Sequence, residues 1–412
     1  MASLEEQIQK ACEAREIPGV ILQASDAKGE FRYQKAFGPK NQTEPMDLNA
    51  TMILASCTKL MTTIAAMQCV ERGQIKLDDP VSTILPELKD PKIITGLTNG
   101  ESGDPIYKPA GTAITLRHLL THTSGLGHDA MHPIYIAWRK AMGHPPYATD
   151  NSAGLLHNIT IPLLFEPNTS WSYGVSIDWA GVLVARLNNT NLEEFMETNI
   201  WTPLGIKNLT FHQDLKPDVR KNLVEMTSRN GPEGAKFGFP KRDVGNVEWT
   251  DELIYEHPTK DEAGGGGAVG SPVEYMKIMQ SILSNDGKLL KSETIDEMFR
   301  PQLNEAGVEA FQNYVGAPSL TGAFSIPKPG TKMQWGIGGM MMDQDYETGK
   351  RKGTLSWSGL PNLMWTIDRV AGLNCMYAGN VIPFGDFKSS EFQVMFEKEM
   401  YTRYENFLKE GK

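Results

Sequence analysis

The 412-residue chain lacks any apolar run approaching the roughly 18 residues of a membrane helix. Its opening stretch, residues 1–19, lacks a basic segment followed by an apolar core, so no signal peptide is expected. A cytoplasmic protein is the resulting expectation. Cysteine is scarce, with only Cys12, Cys57, Cys69 and Cys375. No C-x-x-C pair or regular framework joins them, and they read as reduced thiols. Basic runs are missing as well. Lys+Arg 40 against Asp+Glu 50 gives a net charge of −10, a poor match for nucleic acid or an anionic membrane. Internal repeats and low-complexity tracts are absent. Hydrophobic residues at 40% and charged residues at 22% are those of a globular chain with a sizeable core.

Several catalytic signatures are missing too. There is no G-x-S-x-G elbow, and no histidine follows His257, which disfavours a Ser-His-Asp hydrolase. His118 and His122 stand at i, i+4, but no Glu follows His118, so packing or capping is favoured over zinc. The run Gly264–Gly267 is not followed by G-K-[ST] and is no phosphate loop. Close backbone packing is its expected use.

What is present is an alternation of helix and strand patterns. Leu4, Ile8 and Cys12 recur at helical spacing up to Pro18-Gly19. Val20–Ala24 and Phe31–Phe37 read as strands around an Asp26–Gly29 turn. The spacing predicts an amphipathic helix from about Ser56 to Arg72, ended by Gly73. Helical pieces follow at Leu116–His122, Trp179–Leu187 and Leu192–Ile200, and another after Gly270-Ser271-Pro272. Strand-like runs return at Trp335–Met342, Gly353–Trp357, Asn362–Asp368 and Leu373–Ala378, before a last helix over Glu391–Leu408. Strands at both ends and helices in the middle suggest a sheet lobe from residues 1–85 and 264–412. Residues 86–263 would form a mostly helical inserted lobe, with an irregular excursion at about 211–263.

The pattern S-x-x-K occurs three times, at Ser25/Lys28, Ser56/Lys59 and Ser325/Lys328. Only Ser56 heads a predicted helix. Residues i and i+3 share a helix face, so the Lys59 amine can reach the Ser56 hydroxyl. A serine needs a base before it is a nucleophile, and the helix N-terminus favours developing negative charge. The alternative keeps Ser56 as an N-cap and Lys59 as a solvated first-turn charge. Tyr173, in Trp171-Ser172-Tyr173-Gly174, offers a phenol that could relay a proton. In Ser356-Trp357-Ser358-Gly359-Leu360-Pro361, Gly359 allows close approach of the backbone, so a following N–H could serve an oxyanion hole. Trp335, Trp357, Trp365 and Tyr135 are substrate-pocket candidates, with core packing as the alternative. Met340–Met342 reads as a core strand, and Cys57 is assigned no chemistry.

Taken in order, these segments resemble the serine β-lactamase and penicillin-binding-protein superfamily. The carriers are Ser56-x-x-Lys59, the Leu119-Leu120-Thr121-His122-Thr123-Ser124-Gly125-Leu126 string, Tyr173, Gly264–Gly270 and Trp357-Ser358-Gly359. Within it, the chain is similar to class C β-lactamases and family VIII esterases, and more closely to fungal statin acyltransferases and esterases. The resemblance implies a β-lactamase-like α/β fold, an antiparallel sheet flanked by helices. It implies Ser56 as nucleophile, Lys59 as base, Tyr173 as proton relay, and the backbone N–H groups of Ser56 and Leu360 as oxyanion hole. No metal or organic cofactor is implied.

Two departures bear on substrate. The family's Tyr-x-Asn element is Tyr173-Gly174-Val175, and its Lys-Thr-Gly motif is Trp357-Ser358-Gly359. An aromatic wall replaces a cation, which favours an apolar ester over a penicillin. Trp357, Ser358 and Gly359 would line that wall. The expected reaction cleaves or transfers a short acyl group on a bulky apolar ester, such as a statin-like polyketide side chain. An acyl carrier protein or acyl thioester is a possible donor. The alternatives are a β-lactamase or D-amino-acid peptidase, and a non-catalytic binding protein of the same fold.

Overall fold

The computed structural model describes residues 2–100, 102–128, 132–144, 154–229, 231, 245–252, 259–317, 320 and 330–411. Along the chain run α1 (Leu4–Glu13), β1 (Val20–Asp26), β2 (Arg32–Phe37) and α2 (Thr58–Glu71). A hairpin follows, β3 (Lys92–Asn99) and β4 (Ser102–Pro109), then α3 (Leu116–Leu120), α4 (Pro133–Ala141) and α5 (Ser176–Asn188). After α6 (Pro272–Ser284) come β5 (Met333–Trp335), β6 (Met340–Met342), β7 (Leu355–Gly359), β8 (Leu363–Asp368) and β9 (Leu373–Ala378). The last element is α7 (Phe387–Lys409).

Seven strands form one sheet in the order β5-β6-β7-β8-β9-β1-β2, antiparallel throughout. Side chains alternate across a strand, and the two faces divide accordingly. Ile21, Trp365 and Met376 face α2 and α6, packing with Leu60, Ile64 and Ile278. Leu22, Ala24 and Cys375 face the other way, against Ile8 of α1 and Phe396 and Met400 of α7. Both faces are covered, so β1 is buried along its whole length.

Two expectations change. The helix from Ser56 is not amphipathic, since every residue of α2 from Thr58 to Cys69 is buried. It is a central helix, and its polar side chains find partners inside. Thr62 donates to the Gly264 carbonyl, and Gln68 to those of Asn199 and Leu289. The single run expected at Trp335–Met342 is instead the hairpin β5–β6, turned at Gly338 with φ +92°. The inserted segment also holds the unforeseen β3–β4 hairpin, whose two register shifts break the alternation that marks a strand. Of the excursion expected at 211–263, residues 230, 232–244 and 253–258 lie outside the described residues.

Candidate active site

The chain enters α2 through a 3-10 turn, Ala55–Cys57. Ala55, buried, has φ +45°, a conformation costly for a residue with a Cβ. The turn aims the Ser56 hydroxyl at two partners. Lys59 Nζ donates to Ser56 Oγ at 3.2 Å, and the Tyr173 hydroxyl donates to it at 2.6 Å. Lys59 is only 5% exposed, and its Nζ lies 4.6 Å from the centre of the Tyr173 ring. The capping alternative fails on both counts. The lysine is not solvated, and the N-cap of α2 is Cys57, with no side-chain cap. Of the other S-x-x-K matches, Ser25 lies within β1, with its hydroxyl on Gln280 at 2.9 Å. Ser325/Lys328 falls outside the described residues.

Tyr173 is held by the string that follows α3. Ser172 N–H donates to the His122 carbonyl at 3.0 Å, and Asn168 N–H to that of Thr123 at 2.8 Å. Ser124 and Ser176 hydroxyls meet at 2.8 Å. A Cβ on Gly174 would lie 2.2 Å from the Gly127 carbonyl carbon, so only glycine fits. His122 adopts φ +58° and packs its ring 4.9 Å from that of Tyr173. Burial, then the Lys59 charge, push its imidazole well below the usual range, so it stays neutral. Both its ring nitrogens lack a hydrogen bond among the described residues. His118 meanwhile accepts the Thr115 N–H through Nδ1 in a capping box. Because α3 ends at Leu120, the i, i+4 pair is split. Among the described residues, no cluster of three His, Cys, Asp or Glu could hold a metal ion.

The far wall is β7. Its neighbour β6 pairs with it only at Leu355 and Ser356. The edge from Trp357 to Gly359 therefore faces the Ala55–Cys57 turn instead of a strand. A Cβ on Gly359 would lie 2.4 Å from the Leu54 carbonyl oxygen, so glycine lets this edge reach the serine turn. The next residue, Leu360, opens a turn pinned by Asn362, φ +62°. The Asn362 amide donates to the Val381 and Pro383 carbonyls and accepts from the Gly385 and Asp386 N–H groups. Sequence reasoning had no signal for this clamp.

Trp357 meets Tyr173 directly. Their rings lie 5.2 Å apart, and the indole Nε1 lies 3.4 Å from the Tyr173 oxygen. Trp335 packs edge-on against Trp357 at 4.8 Å, and its Nε1 donates to the Leu120 carbonyl. Three expected pocket residues are placed differently. Trp365 shares the face of Trp357 but is fully buried against Gly339 and backs the wall. Ser358 alternates to the opposite face, paired with Met364. Tyr135 is fully buried, donating to the Pro162 carbonyl and accepting the Gly127 N–H, so it supports the loop beneath Tyr173. Two further groups went unnoticed in the sequence. Tyr314 stacks on Tyr173 at 6.3 Å. Asp178, buried in the first turn of α5, accepts the Gly265 N–H at 2.8 Å. Burial pushes its carboxyl up, opposed by the Lys59 charge and that N–H. An acidic residue in a helix's first turn reads as ordinary dipole complementation, which hides it.

Buried Cys57 gives its carbonyl to the Tyr275 hydroxyl, and burial raises its thiol, leaving it inert. Met340–Met342 is a buried core strand, and the Gly264–Gly267 run packs tightly beside Lys59 and Asp178. The arrangement is a serine hydroxyl bonded to an amine and a phenol. That set can perform acyl transfer through a covalent ester.

A beta-lactamase family model matches residues 3–381. The chain is 32% identical to the ML-236A carboxylate methylbutanoyltransferase of Penicillium citrinum, covering 98% of this chain and 94% of that one. It is 33% identical to the lovastatin esterase of Penicillium rubens, covering 96% and 97%. A solved structure of a mutant simvastatin synthase from Aspergillus terreus superposes with a TM-score of 0.87 at 33% identity, covering 98% and 95%. The antiparallel sheet flanked by helices is thus the architecture that this chain shares with that solved structure.

Proposed function

The chain belongs to the beta-lactamase family, and from that premise we propose that it is a serine esterase or acyltransferase. Its substrate is a short acyl ester of a bulky apolar alcohol, of the statin polyketide kind its relatives are named for. The observation that carries this reading is the Ser56 hydroxyl held jointly by Lys59 and Tyr173. The catalytic unit comprises both the sheet lobe, 1–85 with 264–412, and the inserted lobe between them.

In the first half-reaction Ser56 Oγ bonds to the acyl carbon as its proton passes to Lys59 Nζ. The oxyanion lies against the N–H groups of Ser56 and Leu360. The ester C–O bond then breaks, and the departing oxygen takes the proton. In the second half, water or an alcohol bonds to the acyl carbon as its proton passes to the Tyr173 oxygen. Tyr173 gives its own proton to Ser56 Oγ, and the acyl–Ser56 bond breaks to restore the serine. Trp357, where the family's cation would stand, supplies an apolar wall and an N–H toward Tyr173. That supports an uncharged ester over a penicillin. An acyl thioester, free or on a carrier protein, fits as donor for transfer. No helix among the described residues is long and apolar enough to cross a membrane, and a cytoplasmic setting suits the thioester donor.

The test is a panel of acyl esters and thioesters, with and without a polyketide alcohol, read by product mass. Free acid alone assigns hydrolysis, and acylated alcohol assigns transfer. Turnover of none of them, with Ser56 left unlabelled by a fluorophosphonate, contradicts the proposal.

A further inference from the structure

Lys59 has a carboxylate behind it that it does not touch. Gly265 stands between them. Its carbonyl accepts from Lys59 Nζ, and its N–H donates to Asp178 Oδ1 at 2.8 Å. The preceding carbonyl, of Gly264, is taken by Thr62 of α2 at 2.7 Å. The glycine run is thus clipped to α2 on one side and to α5 on the other. A Cβ at Gly265 would lie 2.3 Å from Asp178 Oδ2, so the carboxylate covers that residue closely. Asp178 is buried, and its carboxylate takes the Gly265 N–H together with the N–H of its own residue.

We infer that Asp178 is a positioning residue for Lys59. It fixes Gly265 so that the carbonyl aims the amine at Ser56 Oγ, and its charge stabilises the ammonium formed there. The inference rests on the serine reading above. The proton leaves Ser56 Oγ, resides on Lys59 Nζ and goes on to the departing oxygen, and none reaches Asp178. The role resembles that of the acid in a Ser-His-Asp triad, which orients a base and stabilises its charged form without accepting a proton. Other titratable groups face the pair. Lys59 meets Tyr173, and its charge is also felt by Cys57 and His122. Asp178 feels His128 as well as Lys59.

The test measures acylation of Ser56 by an activated aryl ester across pH in wild type, Asp178→Asn and Asp178→Ala. Asn keeps the shape and an accepting oxygen but removes the charge. A less stabilised ammonium is a weaker base. Asn should therefore lower the plateau rate about tenfold and move the acidic limb about one pH unit lower. Ala removes the acceptor too and should cost about a hundredfold, with KM within about twofold because Asp178 is remote from the ester. Should Ala not fold, Asn, which keeps the packing, still decides. Asn acylating at the wild-type rate with the wild-type limb overturns the assignment, as does a loss confined to KM. A wild type that is never acylated overturns the serine reading itself, and this inference with it.

Discussion

Two lysines are buried on opposite faces of the same sheet, and they are treated differently. Lys350 lies on the α7 face, 1% exposed, and its Nζ meets Glu397 of α7 at 2.9 Å. Glu397 also accepts from Thr366 at 3.1 Å. Lys59 lies on the α2 face, 5% exposed, and among the described residues no carboxylate is within ion-pairing distance. Its partners are a hydroxyl, a carbonyl and the face of a phenol ring. Burying a charge costs several kcal/mol unless a partner offsets it. The α7 face offsets it directly. The α2 face instead leaves the amine bonded to the Ser56 hydroxyl, as the proposed proton exchange requires, with the Asp178 carboxylate on the far side of Gly265.

Mutation breaks this contrast in opposite directions. Lys59→Met should lower ester turnover at least about a thousandfold, yet leave the unfolding midpoint unchanged or raised, because no ion pair is lost. A large stability loss with activity retained contradicts the assignment. Lys350→Met strands Glu397 and should cost about 3–5 kcal/mol in denaturant unfolding, with activity per folded molecule near normal. The double variant Lys350→Met, Glu397→Leu should recover most of that loss; a double variant as unstable as the single would refute the pairing. Trp357→Phe keeps the wall and removes the N–H facing Tyr173. It should slow turnover about fivefold, the scale of one hydrogen bond of about 1 kcal/mol, with little change in KM.

The two faces also separate by pH. Burial depresses His122, and to a lesser degree His118 and His132. The unfolded chain then binds more protons than the native one below about pH 6.5. Stability is therefore lost as pH falls from 7 toward 5, and His122→Phe should lessen that loss. On the other face Arg403 holds Glu5 down at about 2. Its contribution is present above the unfolded carboxylate value of about 4.5 and is lost as pH falls from there toward 2. Urea midpoints at pH 7, 5 and 3.5 check both windows. A His122→Phe variant with the wild-type slope from 7 to 5 would count against the first.

The α1, β1–β2 and β8–β9 elements were legible because their signals are local. Helical spacing, turn residues and strand length are read within about ten positions. Ser56 and Lys59 were legible for the same reason, being one turn apart. Tyr173 was found only through the order of motifs, since 117 residues separate it from the serine it bonds. Asp178 and Asn362 act through backbone groups, so no pairing of side-chain types announces them. Trp365 and Ser358 were misread because a motif string does not say which strand residues share a face until the partner strand is known. The inward turn of α2 was missed for a related reason. Its threonines and Gln68 look solvent-facing until the carbonyls that receive them are in view.

The central claim is that acyl transfer runs through Ser56 and none of the other S-x-x-K serines. Intact mass and peptide mapping after brief incubation with a slowly hydrolysed aryl ester test it directly. One acyl group on the peptide carrying Ser56, retained in Ser25→Ala and absent in Ser56→Ala, is the predicted result. An unmodified protein, or an adduct that persists in Ser56→Ala, would contradict it.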